Sequence, residues 1–291
     1  MMQTGTLTTV SPLELLAGVM PFPVAYGVRY VMNAAQSEGR AAVVKWQCAV
    51  VAQFCQIVSL VRLAARIDRR DGTFDQELRQ ALTTAAEKGI RGNEPSAGVW
   101  ITMAFSTRGW AGRRGNIAVR ELESILDSEL RGHKKTLITL VERRNKASHL
   151  DVGDAELRKW EHEGYEHLTE VLHDAADIFS QNENAIAIVR VDQVEQFENE
   201  NVYTCKVLHG YSEVFAAREI RTRPDVRLLS GGVFAYHEKT GSFLRLDPLV
   251  AWSACPHCGR RRFYMAASSP QDGELWMTTP TVNCVPIKFH T

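Results

Sequence analysis

The chain has 291 residues, of which 45% are hydrophobic and 23% charged, with 34 basic and 34 acidic side chains. These proportions are typical of globular proteins and exclude a disordered or collagen-like chain. The zero net charge argues against a protein that coats nucleic acid over its whole surface, and the length favours two domains of ordinary size.

Helical patterns fill the first 180 residues. Ser11 and Pro12 predict a helix start, because Ser caps a helix N-terminus and Pro suits the first helical position. The most apolar stretch, residues 41–67, contains charged and amide side chains, so we expect a buried helix and not a membrane span. The predicted helices cover 24–35, 38–69, 74–88, 117–130, 134–148 and, with Asp154 as the cap, 154–179, and 96–105 is a further short apolar segment.

No feature of the sequence indicates export. Residues 1–9 lack the basic region of a secretory signal, and six cysteines in a chain of this length do not make a disulfide scaffold. We therefore expect a cytoplasmic protein without a membrane span.

After residue 180 the pattern changes to short β-branched and aromatic runs. Residues 238–241, Glu-Lys-Thr-Gly, predict a hairpin loop between two of these runs. The sequence thus predicts an α+β protein, with a helical domain over residues 1–180 and a small antiparallel β domain over residues 181–291. The predicted strands cover 185–191, 202–208, 227–229, 232–237, 243–246 and 262–265.

Arg144, Asn145 and His149 form the most distinctive motif of the helical part, near the end of a predicted helix. A histidine titrates near neutrality and can accept a proton from a ribose 2′-OH or donate one to the leaving oxygen. An arginine can stabilise the charge that develops on a phosphate under attack. These residue types suit RNA cleavage without a metal, although basic residues are also favoured at a helix C-terminus by the helix dipole alone.

This motif and its helical setting resemble the HEPN superfamily, whose characteristic motif is Arg, four to six residues and His, usually with a polar residue after the Arg. Phe22-Pro23 and the run 95–100 (Pro-Ser-Ala-Gly-Val-Trp) also resemble a HEPN-like module of bacterial conflict systems. The resemblance covers roughly residues 20 to 180. Many family members also carry an acidic residue on an early helix, where this chain has Gln47 and Gln53. Glu142, next to the motif, is a candidate to take the place of that acidic residue.

The resemblance implies a metal-independent endoribonuclease that acts as a toxin or anti-phage effector and leaves 2′,3′-cyclic phosphate ends. His149 would be the general acid/base, Arg144 the transition-state stabiliser and Asn145 an orienting or phosphate-contacting polar group. It also implies a homodimer with the site at its cleft, RNA as substrate and a protein partner or antitoxin. The alternative is a non-catalytic dimerisation or binding module, since many HEPN modules are inactive, and a zinc-dependent DNA-binding regulator is a weaker third hypothesis.

Cys255-Pro-His-Cys258-Gly259 is the second motif, and its spacing is typical of a zinc knuckle. A structural zinc needs four ligands, and the candidates for the remainder are Cys205, His209, Cys284 and His290. An unmetallated hairpin turn remains the alternative. A thioredoxin-like redox motif is disfavoured, because such a motif opens a helix whereas residues 260–264 predict a strand.

Charge is distributed unevenly along the chain. Residues 108–149 hold 10 basic and 5 acidic side chains, whereas residues 150–180 hold 2 and 9. The two segments either neutralise each other by packing or form a groove that faces phosphates. Residues 260–264, Arg-Arg-Arg-Phe-Tyr, likewise fit either a nucleic-acid contact or a solvated strand edge.

Overall fold

A computed structural model describes residues 11–67, 97–106, 131–180, 185–267, 274–281 and 283–290. The predicted helices at 74–88 and 117–130 lie outside these residues. Within them, helices come first and antiparallel strands follow, which confirms the predicted α+β class. The helices are α1 Pro12–Val19, α2 Phe22–Ser37, α3 Arg40–Ile67, α4 Ala97–Ser106, α5 Lys134–His149, which follows a 3-10 turn at Arg131–His133, and α6 Asp154–Phe179.

Helix α3 is the centre of the helical part and packs against α2, α4, α5 and α6. By length and composition it is apolar enough to cross a membrane, but 83% of its apolar 18-residue stretch is buried inside the protein. Its start agrees with the expected helix to within two residues. Ser11 is the N-cap of α1 with Pro12 at its first position, as predicted. The predicted cap of α6 is wrong by one residue: Gly153 is the N-cap, and Asp154 lies in the first turn and pairs with Arg40.

The strands form two antiparallel sheets. The five-stranded sheet has the order β3-β2-β1-β4-β5, and the four-stranded sheet has the order β6-β7-β8-β9. The hairpin between β4 and β5 spans residues 238–241, as the sequence predicts. The strands are β1 Ile186–Gln196, β2 Asn201–Val207, β3 Ala217–Thr222, β4 Val233–His237, β5 Ser242–Arg245, β6 Val250–Ala254, β7 Arg261–Ala266, β8 Glu274–Thr278 and β9 Ile287–His290.

The predicted strand at 227–229 is wrong. That segment is irregular because its backbone bonds a side chain and not a neighbouring strand: the Tyr203 hydroxyl donates to the Val226 carbonyl and accepts from the Leu228 N–H. Strands β3, β6, β8 and β9 were not predicted. Strand β3 has the sequence Ala-Arg-Glu-Ile-Arg-Thr and buries only Ile220, so it lacks the apolar alternation that identifies a strand.

One hydrophobic core continues from the helices into the sheets. Phe22 at the start of α2 is fully buried and packs against Phe215 and Phe263, with ring centroids 5.5 and 6.2 Å away. The Gln56 amide on α3 donates to the Ala266 carbonyl at the end of β7, at 2.9 Å. Helix α6 ends at Phe179 and β1 begins at Ile186, and the hydrophobic core runs across this change of secondary structure.

Candidate functional site

Arg144, Asn145 and His149 lie in the last two turns of α5. At about 100° per residue, Asn145 and His149 are about 40° apart around the helix and share a face. Asn145 and His149 are exposed, and Arg144 is half-buried. Nη1 of Arg144 donates to Oδ1 of Asn145 at 3.0 Å, which draws the guanidinium towards the face that carries His149.

Arg144 and His149, the two residues with proposed catalytic roles, do not bond to each other in the described structure. No hydrogen bond or ion pair within the described part of the chain joins Arg144 to His149, and Arg144 has no carboxylate partner there. The neighbouring Arg143 differs, because it forms an ion pair with Glu163 on α6. The positive charge of Arg144 is thus not neutralised by any acidic side chain among the described residues. The ring of His149 is exposed at the end of the helix.

Arg144 also faces Cys48, a buried thiol on α3. Burial raises the pKa of Cys48 to about 11, and the nearby positive charge of Arg144 opposes that rise only in part. Cys48 is therefore a protonated thiol at neutral pH and offers no nucleophile beside the motif.

The two glutamines on the long helix, where the resemblance would place an acidic residue, have structural contacts. The Gln47 amide donates to the Glu161 carbonyl on α6 at 2.9 Å, and its carbonyl oxygen lies against Gly164. Gln53 packs in the same way against Gly27 on α2. A Cβ at either glycine would clash, so these pairs permit close helix packing. Glu142, beside the motif, is exposed.

Part of the uneven charge distribution is neutralised by helix packing. Besides the Arg143–Glu163 pair, Nε2 of His133 lies 2.6 Å from Oδ2 of Asp174, and both pairs join the basic segment to α6. Arg40 on α3 adds contacts to α6 at Asp154 and Glu161. The self-neutralising interpretation is therefore supported for the Arg143–Glu163 pair, whereas Arg144 takes no part in these contacts.

The second candidate site brings together Cys255, Cys258 and Cys284. Their three Sγ atoms lie within 4.8 Å of one another, and those of Cys258 and Cys284 are 3.8 Å apart. A tetrahedral zinc with Zn–S bonds of about 2.3 Å separates its sulfur ligands by about 3.8 Å. The three cysteines could thus hold a metal ion, and among the described side chains Cys284 is the candidate partner that lies at the knuckle.

The turn around Cys255 supplies hydrogen-bond donors that stabilise the thiolate form of Cys255. Burial would raise the pKa of Cys255, but hydrogen bonds from the Tyr264 hydroxyl and from the backbone N–H groups of Cys258, His257 and Val285 lower it to about 6. The turn closes with Gly259, whose N–H donates to the Cys255 carbonyl at 2.8 Å and whose φ of +69° favours glycine. Cys255 is therefore prepared to act as a thiolate ligand.

Arg262 on β7 provides a positive charge at this cluster. Its side chain is almost completely buried, Nη1 pairs with Glu213 and Nη2 lies 3.7 Å from Sγ of Cys258. Burial alone would lower the pKa of Arg262, but bonds to Cys284, Glu213 and Cys258 raise it. The sequence did not indicate this role, because it presented Arg262 only as part of a basic-aromatic run. Phe263 and Tyr264 of that run are fully buried and so cannot stack on bases.

Cys205 and His209, two of the other candidate zinc ligands, are not in the cluster. Cys205 lies on β2 in the second, smaller core of the five-stranded sheet, and burial raises its pKa to about 11. His209 is bonded to backbone: Nε2 accepts from the Ile188 N–H at 3.0 Å, and the ring also bonds the backbone of Val19. The side chain of His290 lies outside the described part of the structure.

The lowered pKa of His209 predicts that the folded protein is less stable in mild acid than at neutral pH. Burial lowers its folded-state pKa to about 4, more than the Val19 contact raises it, whereas an unfolded histidine titrates near 6.5. Between these values the unfolded chain binds the extra proton, so the free energy of unfolding falls as pH decreases from 7 to 5, by about 2 kcal/mol. Urea unfolding at both pH values measures this loss.

His209→Gln should remove that part of the pH dependence, while His162→Gln on the exposed face of α6 should leave it unchanged. An identical pH dependence in His209→Gln and the natural protein would show that His209 is not the responsible group.

Comparisons with known proteins leave the family open: no protein-family model, curated protein or solved structure matches this chain.

Proposed function

We propose that the helical part is a metal-independent endoribonuclease of the HEPN type, acting as a cytoplasmic toxin or anti-phage effector. The observation that carries the proposal is the arrangement at the end of α5. There Asn145 and His149 share an exposed face, and the Arg144 guanidinium is hydrogen-bonded to Asn145. The resemblance of this motif to the HEPN pattern supplies the reaction class.

In the proposed reaction the ribose 2′-oxygen attacks the adjacent phosphorus. The O2′–P bond forms, the P–O5′ bond breaks, and the products carry a 2′,3′-cyclic phosphate and a 5′-hydroxyl. His149 accepts the 2′-OH proton or protonates the leaving oxygen, and Arg144 stabilises the phosphate oxygens as negative charge accumulates. One histidine cannot perform both proton transfers in the same step, which favours a homodimer whose cleft combines two copies of His149.

The test is incubation of the purified full-length protein with RNA in EDTA. We expect cleavage of RNA and no cleavage of DNA of the same sequence, because DNA lacks the attacking 2′-OH. Dependence on added divalent metal, or equal cleavage of DNA, would contradict the mechanism. If RNA stays intact with and without candidate partner proteins, the non-catalytic dimerisation or binding module is the better account.

A second proposal concerns the cysteines, and the geometry of their sulfur atoms favours it. We propose that Cys255, Cys258 and Cys284 bind a structural zinc ion, which joins the β6–β7 turn to the segment before β9. Zinc would fix two segments that are 26 residues apart along the chain. It has no part in the proposed RNA cleavage.

Metal analysis of protein purified without added metal tests this site. We expect about one zinc per chain in the natural protein and less than about a tenth in Cys258→Ser, because that substitution removes a thiolate ligand. Cys205→Ala is the matched control and should retain its zinc, since Cys205 lies in the other core. Equal zinc content in Cys258→Ser and the control would contradict the assignment.

A further inference from the structure

Three thiolates leave a tetrahedral metal one ligand short. A structural zinc site has four protein ligands, whereas a site with three protein ligands keeps a position for water or another small ligand. Among the described residues, the group of potential metal ligands comprises Cys255, Cys258 and Cys284 alone. The fourth position must therefore be sought near the segment that carries Cys284, which has a spacing similar to that of the Cys255 segment.

Thr281 occupies the position where a second Cys-x2-Cys knuckle would have its first cysteine. It precedes Cys284 by three residues, as Cys255 precedes Cys258. The turn between them is closed by the Cys284 N–H, which donates to the Thr281 carbonyl at 3.3 Å. Thr281 is only 7% exposed, and its buried Oγ1 has no hydrogen-bond partner within the described part of the chain.

A buried hydroxyl without a partner is costly and indicates an additional ligand or water at that position. We propose that Thr281 stands in the place of a fourth metal ligand, so that the zinc has three protein thiolates and an open position beside the Thr281 hydroxyl. A water molecule on the metal would occupy that position, hydrogen-bond Oγ1 and exchange with added nitrogen or sulfur ligands.

The charges around the site fit this arrangement. Three thiolates and Zn²⁺ sum to one negative charge, which would lie beside the buried guanidinium of Arg262 at Cys258. A fourth thiolate would raise the negative charge of the site to two, while Arg262 already shares its positive charge with Glu213. The inference rests on the proposed zinc site and is independent of the proposed ribonuclease.

Cobalt substitution under reducing conditions tests the proposal, because the thiolate-to-Co²⁺ absorption increases with the number of bound thiolates. In the full-length protein we expect a three-thiolate spectrum whose visible bands shift when imidazole is added. Thr281→Cys should raise the thiolate band by roughly one third and abolish the imidazole shift. It should also tighten zinc binding in competition with a chelating dye, because it adds a fourth protein ligand.

Ser230→Cys, which adds an exposed thiol beside the other sheet, is the matched control and should behave as the natural protein. If imidazole does not shift the spectrum of the natural protein and Thr281→Cys does not change it, the metal has a fourth protein ligand. That result would overturn this inference and leave the zinc proposal intact. Absence of Co²⁺ binding in the natural protein overturns both.

Discussion

His149→Ala and Arg144→Ala are each expected to reduce RNA cleavage in EDTA by a factor of about 10² to 10⁴. In the proposed mechanism, His149→Ala removes the group that transfers the proton, and Arg144→Ala removes the charge that stabilises the phosphate in the transition state. Asn145→Ala should have a smaller effect, because in the proposed mechanism Asn145 only positions Arg144, to which it is joined by one hydrogen bond. Initial rates on a single RNA substrate measure all three.

These variants should fold normally, because the motif lies at an exposed helix end and truncation removes little core packing. Lys146→Ala is the matched control: it removes one exposed positive charge from the same helical turn and should retain activity within about tenfold. Thermal melting and circular dichroism verify the fold. Full activity in both His149→Ala and Arg144→Ala would exclude the motif from the reaction.

Phe22→Ala is expected to lower the free energy of unfolding by about 3–5 kcal/mol, the range for a fully buried phenylalanine. Phe22 belongs to α2, yet its ring packs against Phe215 and Phe263 in the β part. The cavity would therefore be shared by both parts of the chain. We expect the helical signal at 222 nm and the near-ultraviolet signal of the aromatic core to shift together in urea.

Leu15→Ala provides the comparison, because Leu15 on α1 is 65% exposed and should contribute less than about 0.5 kcal/mol. If Phe22→Ala changed one spectroscopic signal and left the other at its original midpoint, the two parts of the chain would unfold independently and the continuous core would not couple them.

The sequence predicts the local features of the fold well. Ser11 with Pro12 identifies the start of α1, and the Glu-Lys-Thr-Gly loop at 238–241 identifies the β4–β5 hairpin, because each depends on near neighbours. Strand β3 was not predicted, since its charged edge sequence lacks a hydrophobic period. The irregular path of 227–229 depends on Tyr203, more than twenty residues away along the chain.

The cysteine site shows the same division between local and distant information. The Cys255–Cys258 spacing identifies a knuckle, but the sequence cannot choose Cys284 over Cys205 or His209 as its partner, because the choice depends on how the strands pair. Arg262 and Tyr264 could have been linked to the site by one signal: residues two apart on a strand point to the same side. In the structure they contact Cys258 and Cys255, respectively.

The chemistry of the RNA ends distinguishes attack by the ribose 2′-oxygen from attack by water. A defined RNA, cut by the purified protein in EDTA, should yield upstream fragments that end in a 2′,3′-cyclic phosphate and downstream fragments that begin with a 5′-hydroxyl. That pair of ends requires attack by the 2′-oxygen, the step assigned to His149 and Arg144. Fragments that end in a 3′-hydroxyl and begin with a 5′-phosphate would mean that water attacked the phosphorus and would contradict the proposed mechanism.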